Sequence, residues 1–555
     1  MSLEGPAIWL VSFLGSLLTI TTAKAKELGC QDAPMFPGCG FLGLKQVKSL
    51  QEADKKKLFP DLLIEREETM SRIHGREVST FKFQVLGQIV YFTSDPENIK
   101  AMLATQFSDY DLGSARRGNM IRTLGDGIVS VVHASVPSIA NKQQFVQDGK
   151  AWEHSRALLR ASRKSIYSSS RLANACQPQF IREQISDLEL EEHHIQNMMK
   201  AIGPTQADGW TAETDIQTLF FRLTIDTATE FLFGESVDSQ IQEMPGSNSQ
   251  IGGLEQAFAH NFDEAQMHMA QSFRLGDKFW LHNPHAYKEN NKIVHDFVDY
   301  YVNLALRGNL NTEKKMEEGQ KKAKYVLLEA LGQQTRDPLE LRGQLLNILL
   351  AGRDTTSSLL SWLFHQLLRN PEVFNKLRST IIEEFGTYDN PHNITFTTLK
   401  GCQYLQYCLN EVLRLWTVVP GNGRRTNKAT TLPRGGGPDG KSPIYLPPQI
   451  DVNYSVHVMH RRKDIWGPDA EEFRPERFVG RRPGWEFLPF NGGPRICIGQ
   501  QFALTEASYV VVRLLQRFDQ LKLSAHEIED KVTSNMTLTS CPGRPVRLRL
   551  HVAKE

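Results

Sequence analysis

Apolar residues are spaced unevenly along the 555-residue chain, and their period changes from region to region. Phe81, Phe83 and Val85 alternate with polar positions, Gly87 interrupts, and Ile89 and Tyr91 resume the alternation, which predicts a β-hairpin. Asp95 before Pro96 offers a helix cap and a residue preset for a first helical turn. From Gln217 onward the apolar positions recur mostly at helical spacing, through Leu219, Leu223 and Phe231, then through 258–279 and 339–368. Proline and glycine punctuate 433–448 between short alternating pieces, and 536–550 alternates again around Pro542 and Gly543. The pattern predicts a mainly α chain with small β-sheets and carries no fixed-period repeat.

One apolar run stands apart. Residues 6–23 hold about 18 positions without a charge, just enough to span a bilayer. Glu4 precedes the run while Lys24 and Lys26 follow it, the reverse of the charge order of a cleaved signal. The expectation is an uncleaved N-terminal membrane anchor with its linker at 1–33, and one domain at 34–555 on the cytosolic side. Pro34, Pro37, Gly38, Gly40 and Gly43 make the entry to that domain rich in breakers.

Composition narrows the chemistry. Lys+Arg 64 against Asp+Glu 63 leaves a net charge of +1, which argues against a nucleic-acid partner. Seven cysteines without a C-x-x-C pair speak against a disulfide framework or a zinc module. Cys497 is the exception among them, because it sits in F-N-G-G-P-R-I-C-I-G (490–499), a glycine-rich loop that feeds an amphipathic helical pattern. Free N–H groups at a helix start favour a thiolate, and Gly493 and Gly499 permit close approach to a flat cofactor. Upstream, Asp354, Thr355 and Thr356 form a polar island inside an apolar helical stretch, where such residues cost helix stability. Glu411 and Arg414 share a helix face at i,i+3.

These segments resemble the cytochrome P-450 superfamily of haem-thiolate monooxygenases. Its haem loop, F-x-x-G-x-R-x-C-x-G, is matched at Phe490, Gly493, Arg495, Cys497 and Gly499. Its oxygen-activating helix, [A/G]-G-x-[D/E]-T-T, is matched at Ala351, Gly352, Asp354, Thr355 and Thr356. The resemblance implies a P-450 fold with haem b between that helix and the Cys-loop helix. Cys497 is then the axial ligand of the iron, Arg495 pairs with a propionate, and Phe490 packs beneath the sulfur. Asp354 and Thr355 deliver protons to dioxygen. Trp152 and Arg156, in W-x-x-x-R, reach the propionates, as does Arg424 or Arg425. Glu411 and Arg414, with Arg477 of P-E-R-F, form a structural lock behind the haem.

The similarity is greatest to the fungal branch that hydroxylates n-alkanes and fatty acids at or near the chain end, on the stretches F-D-E-A-Q (262–266), L-P-R-G-G-G-P-D-G (432–440) and V-M-H-R-R-K-D-I-W-G-P-D-A (458–470). It implies an endoplasmic-reticulum membrane location, an apolar substrate and O2. Electrons come from NADPH through a separate reductase, since no flavin or nicotinamide domain is present. A tailoring hydroxylase of a fungal secondary metabolite is the alternative within the superfamily. An isomerase or dehydratase needs no proton delivery, so Asp354 and Thr355 speak against it; a non-catalytic haem protein is the remaining class.

The chain departs from the family's pattern at two places. Sixteen extra residues, 131–146, precede the W-x-x-x-R helix and seventeen, 161–177, follow it, neither with clean periodicity. Removing 161–177 joins R-A-L-L-R to P-Q-F without a seam, so both read as translated introns.

Overall fold

The alternation at 80–93 folds as expected, into two antiparallel strands with Thr80 opposite Thr93 and Val85 opposite Gln88. The computed structural model describes residues 23–125, 149–159, 188–242, 254–307, 326–524 and 531–554. The apolar N-terminal run, apart from Ala23, and both extra segments lie outside those residues. Among the described residues no helix is long and apolar enough to cross a membrane.

The strands in chain order are β1 (Thr80–Val85), β2 (Gln88–Thr93), β3 (Tyr110–Asp111), β4 (Thr214–Asp215), β5 (Gly421–Thr426), β6 (Thr430–Gly436), β7 (Ser442–Leu446), β8 (Asp451–Ser455), β9 (Phe518–Leu523), β10 (Ser534–Met536), β11 (Ser540–Pro542) and β12 (Arg547–Val552). The helices that bear on the site are α1 (Gly149–Leu159), α2 (Ile216–Phe233), α3 (Leu254–Phe273), α4 (His285–Leu306), α5 (Pro338–Leu367), α6 (Gln403–Leu415) and α7 (Gln500–Arg517).

The chain divides into two compact units. The first takes its residues from Met1–Gly113, Pro420–Ala470 and Pro483–Ile496. Its five-stranded sheet runs β1-β2-β8-β5-β3, and β8 lies parallel to β2 although more than three hundred residues separate them in sequence. Such a long crossover is invisible to local periodicity. The hairpin β6–β7 holds the glycine- and proline-rich stretch. Asp95 caps the helix Pro96–Lys100, its carboxylate accepting from the N–H groups of Glu97 at 2.9 Å and Asn98 at 3.1 Å.

The second unit, from Ser114–Val419, Glu471–Arg482 and Cys497–Glu555, is helical with two small sheets, β10-β11 and β4-β12-β9. Its centre is α5, whose 30 residues extend about 45 Å at 1.5 Å per residue. Asp337 caps it and Pro338 occupies its first turn. Apolar side chains of α3, α4 and α5 meet in one core, where the rings of Phe258 and Phe297 stack at 4.1 Å and Leu345, Leu346 and Leu349 are fully buried.

Candidate active site

Cys497 stands three residues before α7, whose N-cap, Gly499, supplies no side-chain acceptor. The first turn of that helix thus keeps free N–H groups, and the N–H of Gly499 bonds the sulfur. Burial pushes the Cys497 thiol up, while this bond and the field of Arg156 pull it down, and burial prevails. A metal ion is the agent that deprotonates such a thiol outright. The residue is nonetheless exposed, which leaves one opening at the loop before α7.

A second opening lies on α5. Nearly every residue from Leu341 to Leu367 is buried, but Ala351 is exposed and Gly352 and Thr355 are half-exposed. A side chain built at Gly352 would meet nothing within 4 Å. Small residues there leave open space beside the polar island. Asp354 is buried, and Arg353 Nη1 donates to its Oδ1 at 3.1 Å. Burial raises its carboxyl to about 6 against the pull of Arg353, with the charge of Asp263 helping to raise it. The hydroxyl of Thr355 donates to the Ala351 carbonyl at 2.6 Å.

Trp152 and Arg156 face each other on α1, the guanidinium 5.5 Å from the ring centre. The residues between them dock the helix on α5: the Ser155 hydroxyl accepts from Gln344 at 2.7 Å, and His154 pairs with Glu340 at 2.8 Å. Leu158 and Leu159 enter the core. The helix between the two extra segments is therefore anchored by its own side chains.

Glu411, Arg414 and Arg477 come together as expected. The Glu411 carboxylate accepts from Arg414 Nε and Nη2, each at 2.8 Å, from Arg477 Nε at 3.3 Å and from the Arg474 N–H at 3.0 Å. All three side chains are almost wholly removed from solvent.

In the other unit the two neighbouring arginines differ in their partners. Arg425 is committed to Asp451, with Nε–Oδ1 at 2.6 Å and Nη2–Oδ2 at 2.5 Å. Arg424 is buried, donates from Nη1 to the Gly423 carbonyl at 2.7 Å, and has a buried Nε without a partner. An orphaned buried donor of that kind suits an anionic oxygen. Arg495 lies 5.7 Å over the Phe107 ring, and Phe490 is half-buried. Gly493 is demanded by backbone, since it has φ +65° and a Cβ there would sit 1.8 Å from the Leu103 carbonyl oxygen. Close packing against its own chain, not approach to a cofactor, explains that glycine.

In the second unit an exposed cysteine beside a helix start and an open stretch of small residues suit an iron porphyrin; in the first, the orphaned buried donor of Arg424 suits a carboxylate. Sequence reasoning missed Arg353 and Glu506. The first was the variable position of its motif. The second, on α7, is fully enclosed beside Thr356 of α5, and burial pushes its carboxyl to about 8. A glutamate in an amphipathic helix gives no sign in sequence that it points inward.

Residues 140–546 match the cytochrome P450 family. The chain is 48% identical to cytochrome P450 monooxygenase g430 of a Fusarium species, over 95% of this chain and 86% of that one. It is 39% identical to cytochrome P450 monooxygenase alt2 of Alternaria solani, over 96% and 95%. It is 44% identical to cytochrome P450 52A5 of Candida maltosa, over 92% and 89%. With the haem loop, the polar helix and the buried lock all in place, the chain belongs to the cytochrome P450 family and is a haem-thiolate monooxygenase supplied with electrons by a reductase partner.

Proposed function

We propose that this monooxygenase hydroxylates a long apolar chain, a fatty acid or an n-alkane, at or near its end, with electrons from NADPH through a separate reductase. The observation that carries the reading is the opening at Ala351, Gly352 and Thr355 in a helix whose other side chains are mostly buried. Ile348 and Leu538 are half-buried, apolar and packed against the core to which Leu345, Leu346, Leu349 and Leu350 of the same helix belong. A site of that character takes an apolar substrate and offers it few polar anchors. The likeness at 262–266, 432–440 and 458–470 supports the chain-end branch.

Haem bound through the Cys497 thiolate supplies dioxygen activation, because a thiolate ligand pushes electron density toward O–O cleavage. The chain's own residues do the rest. By the resemblance, Trp152, Arg156, Arg424 and Arg495 would hold the propionates and Phe490 would lie near the sulfur, which Gly499 steadies through its N–H. Asp354, raised to about 6, would give a proton to the Thr355 oxygen as that hydroxyl passes its own hydrogen onward, and would regain one from solvent. Glu411, Arg414 and Arg477 keep the fold closed behind the site. Residues 6–23 anchor the chain in the endoplasmic-reticulum membrane.

The test is the full chain with a reductase, offered fatty acids, n-alkanes and a polycyclic substrate of matched carbon number. Terminal or near-terminal alcohols are expected, with kcat/KM on the linear chains at least tenfold higher, about 1.4 kcal/mol in transition-state binding. Equal or reversed preference overturns the substrate class. We read 131–146 and 161–177 as translated introns; the spliced transcript is expected to lack both, and a message retaining them in frame refutes it.

A further inference from the structure

The stretch F-D-E-A-Q, which marked the branch, has no role in the reaction as described so far. Its polar residues Asp263 and Gln266 stand at i and i+3, on one face of α3. Both reach α5 at the same place. Arg353 Nη1 bonds Asp263 Oδ1, and Nη2 bonds Oδ2 at 3.0 Å. Buried Gln266 hydrogen-bonds the Asp354 carboxyl. Arg353 Nη1 is also the group that bonds Asp354, so one guanidinium is shared by two carboxylates. Their surroundings are opposite: the Asp263 side chain is 54% exposed and that of Asp354 5%. The network is unsaturated, since Arg353 Nε and Gln266 Oε1 are both buried without a partner. A protonated Asp354 is the kind of donor that such an acceptor lacks.

We propose that Asp263 is a positioning residue for proton delivery: by holding Arg353 it sets the charge state of Asp354, and α3 is the second half of the oxygen-activating unit. The proposal rests on the reading of Asp354 as the proton-delivering acid. While ionised Asp263 engages both Nη atoms, the guanidinium is only partly available to Asp354, whose proton is retained. When Asp263 is replaced or withdrawn, Arg353 turns wholly to Asp354 and stabilises its ionised form. The charged groups facing Asp354 are Arg353 on its own helix and Asp263 on α3, and α2 contributes the uncharged ring of Phe221, 5.5 Å from the Arg353 guanidinium. The opposing directions assigned to these two charges, Arg353 lowering the Asp354 carboxyl and Asp263 raising it, agree with the geometry. Asp263 is also the exposed end of the network, where solvent reaches it first.

The experiment measures two things on the full-length haem protein and its variants. One is the infrared C=O stretch of a protonated carboxyl, titrated against pH with Asp354→Asn identifying the band. The other is the fraction of NADPH oxidation that ends in product and not in hydrogen peroxide, as a function of pH. For Asp263→Asn the titration is expected to move down by at least one pH unit, and coupling near neutrality to fall at least threefold and recover on acidification. Asp263→Glu is expected to restore both, and Arg353→Gln to move the titration upward. Opposite movements are a signature that loosened packing does not produce. An unshifted band and an unchanged pH profile in Asp263→Asn, with Asp354→Asn uncoupled, overturn this proposal alone. Full coupling in Asp354→Asn overturns the reading of Asp354 itself, and the proposal with it.

Discussion

Cys497→Ser is expected to give a protein that retains its helical fold, shows no thiolate-type Soret band in the carbon-monoxide difference spectrum of the reduced form, and hydroxylates at background. A serine hydroxyl keeps its proton where a metal-bound thiol surrenders it. Three other described cysteines are poorly placed to substitute. Burial pushes Cys402 up to about 12 and Cys408 well above the ordinary thiol range. Cys39 is buried and spends its thiol proton on the Phe36 carbonyl at 3.3 Å. The apparent stability should fall as well, because a ligand at a thousand times its Kd contributes about 4 kcal/mol to the folded state. Haem content, the difference spectrum and the unfolding midpoint with and without added haem measure the three effects. A wild-type band in the serine variant removes Cys497 as the axial ligand.

Glu411→Ala is expected to be the most damaging single change to the fold. It strips the acceptor from two buried guanidinium groups and one backbone N–H at once. Removing one partner of a buried pair costs about 3–5 kcal/mol, out of a total stability of about 5–15 kcal/mol. Glu411→Gln retains the shape and an uncharged acceptor and should fall between the two. Urea unfolding of each variant at fixed haem concentration ranks them. An alanine variant whose midpoint equals that of the parent shows that the cluster does not hold the fold.

Much of this was legible before the structure. The hairpin at 80–93, the cap at Asp95 and the helix from 339 all rest on signals within a dozen residues, where period and turn chemistry suffice; Pro542, read as the middle of an alternating stretch, instead ends β11 opposite Ser534 of β10. Glu411, Arg414 and Arg477 were grouped by resemblance, but the Arg474 N–H that completes the carboxylate's shell was not. The pairing of β2 with β8 and of β4 with β12 depends on contacts that no local period encodes. That Arg425 is engaged by Asp451 depends on a residue of the neighbouring strand. The acid at 354 was evident, whereas its control by Asp263 requires knowing that two helices meet there.

The hydroxyl of Thr355 spends its hydrogen on the Ala351 carbonyl at 2.6 Å, the usual resting place for threonine within a helix. A hydroxyl so engaged has only lone pairs to show its surroundings. It can take a proton, but it hands one onward only after its side chain turns away from its own helix. If Thr355 relays protons as proposed, the relay is closed at rest, and opening it costs one hydrogen bond.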